Sequence, residues 1–262
     1  MTEPSQDALD AAPAKVAAVT LGFWIAKVAA TTLGETGGDW VTMSLDLGYL
    51  VGSAIFAALF IALVHGQIRA TRFHPVLFWA TIVATTTLGT TLADFFDRSI
   101  GLQYPGGSAI IGALLAASLF VWHRVEGTVA IRSITTPRAE WFYWITILFS
   151  QTLGTALGDW TAGDDRGGLG LGYEHASLIF GGALLVVAAL YFWTRLSRTA
   201  LFWAAFVLTR PLGATLGDWL DKPHAQGGLE LSRLWASLAL VGFLGLCLLV
   251  FPQRPARAGE GA

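Results

Sequence analysis

Aspartate recurs in one setting four times along this chain. The segments Thr32-Leu-Gly-Glu-Thr-Gly-Gly-Asp-Trp40, Thr87-Leu-Gly-Thr-Thr-Leu-Ala-Asp-Phe95, Thr152-Leu-Gly-Thr-Ala-Leu-Gly-Asp-Trp160 and Pro211-Leu-Gly-Ala-Thr-Leu-Gly-Asp-Trp219 align without gaps. The carboxylates of Asp39, Asp94, Asp159 and Asp218, with Glu35 one turn before the first, are hard oxygen donors. They suit a divalent cation such as calcium, magnesium or manganese, or a proton. Each aspartate closes a helical stretch, where the helix dipole disfavours negative charge. Four of them around one axis would also repel one another, so they call for protonation, a basic partner, a cation or water.

Positions three, four and seven residues before each aspartate share its helix face. They are Thr36, Glu35 and Thr32, then Thr91, Thr90 and Thr87, then Ala156, Thr155 and Thr152, and last Thr215, Ala214 and Pro211. Read together they form a ribbon of hydroxyls and carboxylates that lines a pathway. Two bases join it: Lys27 at mid-span and Arg210 eight residues before Asp218. Basic side chains at such depth face an acid or an aqueous cavity, so they are expected to offset Glu35 and the aspartates. The competing reading has each threonine bonding its own helix carbonyls. In it the aspartates are solvated loop caps beyond the bilayer.

The elements that carry these residues must lie in lipid. Of 262 residues, 54% are apolar and 13% charged, and the mean hydropathy is +0.59. A soluble domain is about a quarter charged. With a net charge of −2 and no basic run, a nucleic-acid partner is not expected. The single Cys247 excludes a disulfide framework and a multi-cysteine metal site. Eight apolar stretches near 17–38, 47–65, 76–93, 106–123, 141–158, 175–194, 200–217 and 234–251 are long enough to span, and they lack β-barrel alternation. The expected architecture is an all-α membrane protein, with a tail over 1–16, one eight-helix domain over 17–253 and a second tail over 254–262. The first tail, with Glu3, Asp7 and Asp10, has the wrong charge for a secretory signal, so the first span is read as retained.

Lys15, Arg69, Arg72, Arg124, Arg132, Arg138, Arg195, Arg198, Arg254 and Arg257 fall on one side of these spans, and Arg98, Arg166, Lys222 and Arg233 on the other. That asymmetry places both termini in the cytoplasm of a bacterial inner membrane. The acids gather on the opposite side, which topology alone does not explain.

Further marks repeat. A tryptophan stands 15 residues before each aspartate, at Trp24, Trp79, Trp144 and Trp203. In the returning spans Tyr49, Tyr104, Tyr173 and Arg233 each precede a serine by four, at Ser53, Ser108, Ser177 and Ser237. The repeats run over about 20–75, 76–135, 136–198 and 199–253. Each is two spans, so all copies share one orientation and are expected to stand pseudo-fourfold about an axis along the membrane normal. In these features the chain resembles a bacterial membrane-protein family of unknown function. That family is built from four tandem repeats of two transmembrane segments, each with a characteristic tryptophan. The resemblance covers roughly 20–253 and implies eight helices; it implies no activity.

The tryptophans read as interfacial anchors: Trp24 and Trp40 are separated by ~24 Å of helix. Paired small residues, Gly34/Gly38, Gly89/Ala93, Gly154/Gly158 and Gly213/Gly217, read as close-packing faces. The glycine-rich stretches around Gly167–Gly170 and Gly227–Gly228 read as flexible turns. No Ser–Lys or Ser–His pairing, H-E-x-x-H or cofactor fingerprint points to an enzyme. The histidines are scattered, with His175 beside Glu174 at the outer side.

The function expected is a small transporter or channel for a cation, a divalent metal or a proton, passing between the repeats. The alternative is a membrane scaffold or sensor that transports nothing. The partners expected are the lipid bilayer and an ion or small solute, with no oligomeric state assigned.

Overall fold

The computed structural model describes residues 15–256; the acidic residues of the first tail and Arg257 lie outside them. Eight long α-helices appear among the described residues, and no β-strand. They are α1 (Leu21–Asp39), α2 (Gly48–Arg69), α3 (Pro75–Asp94), α4 (Gln103–Glu126), α5 (Pro137–Ala162), α6 (Tyr173–Trp193), α7 (Arg198–Asp221) and α8 (Arg233–Val250). Their starts follow local chemistry. Thr20, Thr136 and Ser197 accept the N–H groups of Phe23, Ala139 and Ala200, and prolines 75 and 137 open α3 and α5.

The odd helices form a closed inner ring in which α1 packs on α3, α3 on α5, α5 on α7 and α7 on α1. Each even helix packs outside, against the inner helix of the following repeat. Thus α2 lies on α3, α4 on α5, α6 on α7, and α8 returns to α1. Every repeat therefore covers its neighbour rather than itself, and the fourth closes on the first.

Glycine sets the ring spacing. A Cβ at Gly213 would lie 2.1 Å from Thr31 Oγ1, at Gly154 2.3 Å from Arg210 Cγ, and at Gly34 2.5 Å from Thr86 Cγ2. At Gly89 it would meet the Gln151 backbone at 2.9 Å. These four glycines stand five residues before the motif aspartates. Each receives the residue that stands eight before the aspartate of the next repeat. The repeated small residues thus do the packing work expected of them.

Six of these helices are long and apolar enough to cross a membrane; α1 and α5 are not. Those two carry Lys27, Glu35 and Asp39, and Glu140, Gln151 and Asp159, all buried. A helix enclosed by neighbours does not need an apolar surface all round. The outer helices are its counterpart: 17–28% of their spanning windows is buried inside the protein, against 72% and 61% for the spans containing α3 and α7.

Both described chain ends meet at one face, here termed the terminal face. Ala18 N donates to Arg254 O and Ala256 N to Val16 O, each at 2.9 Å. Lys15 donates to Ile68 O and Ala70 O at 3.0 Å, at the end of α2, and pairs with Glu140 of α5 at 2.6 Å. The motif aspartates mark the other, acidic face.

The glycine-rich stretches are ordered caps, not flexible turns. Leu169 N and Leu229 N donate to Trp160 O and Trp219 O, both at 2.7 Å. These bonds satisfy carbonyls at the ends of α5 and α7 that the helices leave open. Side chains are excluded at Gly168 and Gly228, where a Cβ would lie 2.1 Å from the carbonyl oxygens of Gly163 and Lys222.

Candidate functional site: a charged column on the ring axis

Residues at four-residue spacing on the inner helices build layers along the axis. Starting from the terminal face, Phe23, Phe78, Tyr143 and Phe202 precede the repeated tryptophans. Phe23 meets Trp79 at 5.6 Å between ring centroids, Phe78 meets Trp144 at 5.9 Å and Phe202 meets Trp24 at 5.8 Å. In the remaining seam Trp122 of α4 bridges Tyr143 and Trp203. Trp79, Trp144 and Trp203 are buried in this layer, and Trp24 is partly buried. The expectation that they anchor the protein at the lipid interface is corrected here. Their stacking partners lie across the seams, so they seal the ring instead.

The next layer holds Lys27, Ile82, Ile147 and Phe206, all buried. Lys27 Nζ lies 4.3 Å from the Phe206 ring centroid, a cation–π contact, and makes no hydrogen bond. It does not reach an acid, contrary to expectation.

Above it stand Thr31, Thr86, Gln151 and Arg210, then Glu35, Thr90, Thr155 and Ala214. Arg210 joins the two layers. Its Nη2 donates to Glu35 Oε2 at 2.9 Å, to Thr90 Oγ1 at 2.5 Å and to Thr155 Oγ1. One guanidinium from the fourth repeat thus binds the other three and occupies the axis. The small Ala214 on its own helix leaves room for it. The helix stays continuous through Pro211.

The aspartate layer comes last. Asp39, Asp94, Asp159 and Asp218 are all buried, not solvated loop caps. Lys222 Nζ lies 2.5 Å from Asp39 Oδ2 and 2.9 Å from Asp218 Oδ1, latching repeat 4 to repeat 1. Arg98 pairs with Asp94 and, at 3.5 Å, with Asp159, latching repeat 2 to repeat 3. Arg233 pairs with Asp221 at 3.1 Å. The pseudo-fourfold ring therefore carries a twofold pattern of charge. Burial alone would lower the Lys222 ammonium, but Asp218, Asp39 and Asp221 hold it well above its ordinary value.

Glu35, Asp39 and Asp218 each bring a carboxylate oxygen within 4.8 Å of the others. Asp39 Oδ1 has no hydrogen-bond partner. The site lies beneath the acidic face, where the partly exposed Arg233 side chain comes within 3.9 Å of Asp39 Oδ2.

The expected single ribbon divides into three. Thr90, Thr155 and Glu35 face the axis. Thr32, Thr87 and Thr152 donate to Val28 O, Val83 O and Leu148 O of their own helices, at 2.8–3.0 Å. Thr36 and Thr215 face the outer helices, where Ser237 and Ser177 donate to them at 2.8 and 2.9 Å. Thr91 bonds Leu88 O at 3.2 Å on its own helix. Among the histidines, His224 Nδ1 lies 2.8 Å from Gly228 O within its own loop.

Sequence reasoning missed Arg98 and Lys222, counting them only as surface charge. Their signal was present: each stands four residues after a motif aspartate, in alternate repeats. Gln151, in the Arg210 layer, was also missed. Its equivalents are Thr31, Thr86 and Arg210, too varied to read as one column before the glycines revealed the register.

The chain matches the family described as Repeat of Unknown Function (DUF347) four times, over residues 22–73, 77–128, 142–197 and 201–252. It therefore belongs to that family, and each match covers one inner helix and one outer helix. No curated protein and no solved structure matches the chain.

Proposed function

We propose that this four-repeat membrane protein binds a cation on its ring axis and carries it across the bilayer. The observation that supports this most is the buried group of Glu35, Asp39 and Asp218, each with a carboxylate oxygen within 4.8 Å of the others, and with Asp39 Oδ1 left without a hydrogen bond. Three close carboxylates in a low-dielectric interior need positive charge, and hard oxygens suit a divalent metal or a proton. Arg210 and the aromatic layer occupy the axis below, which favours a carrier closed toward its terminal face over an open channel. Lysine and arginine bias supports a cytoplasmic placement of that face in a bacterial inner membrane. The acidic face then receives the ion from outside.

The test is flux in proteoliposomes of purified protein, with manganese, magnesium, calcium and a proton gradient each offered alone. Uptake by the wild type and its loss in Asp39→Asn and Asp218→Asn are the expected results. Folded wild-type protein that neither binds nor moves any of these ions overturns the reading.

A second reading, a scaffold or sensor without transport, draws on one observation. Arg98, Lys222 and Arg210 already pair with the acids, so the ring holds without a ligand. Replacing all four motif aspartates by asparagine separates the readings. A scaffold keeps its cellular phenotype, and a cation carrier loses it.

A further inference from the structure

We infer that Lys222 is a tethered stand-in for the cargo, and that a divalent cation binds by displacing its ammonium group from between Asp39 and Asp218. This rests on the cation reading above and adds the ion's charge class and the group that regulates the site.

Two observations carry it. The first is position. Lys222 Nζ sits 2.5 Å from an oxygen of Asp39 and 2.9 Å from one of Asp218, two of the three acids whose carboxylates gather with Glu35. These distances are close to the 2.3–2.6 Å of a calcium–oxygen bond, so a shift of a few tenths of an ångström turns the cradle into an ion site. The second is Asp39 Oδ1, the other oxygen of the carboxylate that holds Lys222, buried and without a hydrogen bond. Asp218 Oδ1, the other oxygen that faces Lys222, is likewise buried without a hydrogen bond, so both acids that grip the ammonium keep bonding capacity for a further ligand.

Charge then selects the class of ion. Glu35, Asp39 and Asp218 bring three negative charges, and Arg210 and Lys222 two positive ones, so the latched site carries −1. Asp221 and Arg233 beside it cancel. With Lys222 withdrawn the balance is −2, which one divalent cation neutralises. A monovalent ion would only restore the −1 of the latched site, so a divalent ion gains more by displacing the ammonium.

Withdrawal is geometrically simple. Lys222 is the first residue past α7, with extended backbone (φ −72°, ψ 153°), and heads the loop that carries His224 and Gly228. Its helix-capping bond is made by the backbone N–H to Asp218 O, so a change of side-chain rotamer toward the acidic face breaks no helix bond. Arg210 cannot do this, because it is held at mid-ring by three repeats.

The experiment is Mn2+ binding to the purified full-length protein in detergent, by titration calorimetry with an electron-resonance readout of free ion. The variants are Lys222→Met, Lys222→Arg and Asp39→Asn. Lys222→Met should bind Mn2+ at least tenfold more tightly than the wild type, because no ammonium competes. Lys222→Arg should stay near or below the wild type, and Asp39→Asn should lose binding. Lys222→Met that folds and binds no more tightly than the wild type overturns the inference, while loss in Asp39→Asn preserves the cation reading. No binding by wild type or Lys222→Met overturns both. If Lys222→Met does not fold, the double variant Lys222→Met/Asp218→Asn restores a site charge of −1. Affinity at or above the wild type despite the lost carboxylate supports displacement, and weaker binding overturns it.

Discussion

Arg210 of the fourth repeat donates to Glu35 of the first across 2.9 Å, and neither side chain has more than 3% of its surface exposed. This pair closes the ring at mid-depth, where the chain's last inner helix meets its first. The same guanidinium reaches Thr90 and Thr155, so all four repeats share one bond network. A pair so deep is sensitive to losing one partner, since the remaining charge stays buried.

Arg210→Met should therefore destabilise the protein by about 3–5 kcal/mol, and Glu35→Gln by a comparable amount. The double variant should cost clearly less than the sum. Thermal unfolding in detergent, run as a double-mutant cycle, reads the coupling. Strict additivity would mean that the pair does not close the ring.

The ring glycines predict a contrast between inner and outer helices. Gly89→Ala places a methyl group 2.9 Å from the Gln151 backbone and should cost about 1–3 kcal/mol by overpacking. Gly181→Ala on α6 meets nothing within 4 Å. It should be neutral, or stabilise by up to about 1 kcal/mol through helix propensity. Equal effects at the two sites would contradict the ring-inside, lipid-outside arrangement.

Trp144 lies inside the aromatic layer, whereas Trp193 at the end of α6 is 84% exposed. Trp144→Ala should lower stability by about 3–5 kcal/mol. Trp193→Ala should change it little. Quenching by lipid-soluble probes should reach the exposed ring and spare the buried one.

The repeated serines separate by partner. Ser237→Ala breaks a 2.8 Å bond to Thr36 and should cost about 0.6 kcal/mol, the average for such bonds in membrane proteins. Ser108 Oγ is buried without a hydrogen-bond partner, and the residue equivalent to Thr36 in the following repeat is Ala156. Ser108→Ala should be neutral or stabilising in the same unfolding assay.

Lys222 gives a pH dependence with a definite sign. Burial opposes its charge, but the surrounding aspartates hold its folded-state pKa well above the ordinary value. The stability it adds is therefore fully present below the unfolded lysine value of about 10.4, and is lost as pH rises through the raised folded value. The stability gap between wild type and Lys222→Met should stay level from neutral pH to about pH 9 and narrow only above about pH 10. A gap that closes near neutrality would contradict the latch.

Much of this architecture was legible in the residues. Four gapless motifs, a constant tryptophan spacing and paired small residues disclosed the eight helices, the parallel repeats and the close inner packing. Hydropathy alone was weaker, because α1 and α5 are polar enough to miss a membrane threshold. The motif rescued them, since a repeat must have the same fold in every copy.

What the chain alone determined was periodic: which residues repeat, and on which face of a helix they stand. Partnership was decided only in three dimensions. Thr32, Thr36 and Glu35 share a helix face in one copy, yet one bonds its own backbone, one meets α8 and one reaches the axis. Arg98 and Lys222 look like loop charges until the ring brings Asp159 and Asp39 beside them. The physical reason is that a helix face spans a wide arc, and small rotations set by glycine contact choose what each side chain meets. Those contacts join residues some 55 to 200 positions apart, beyond the reach of any local pattern.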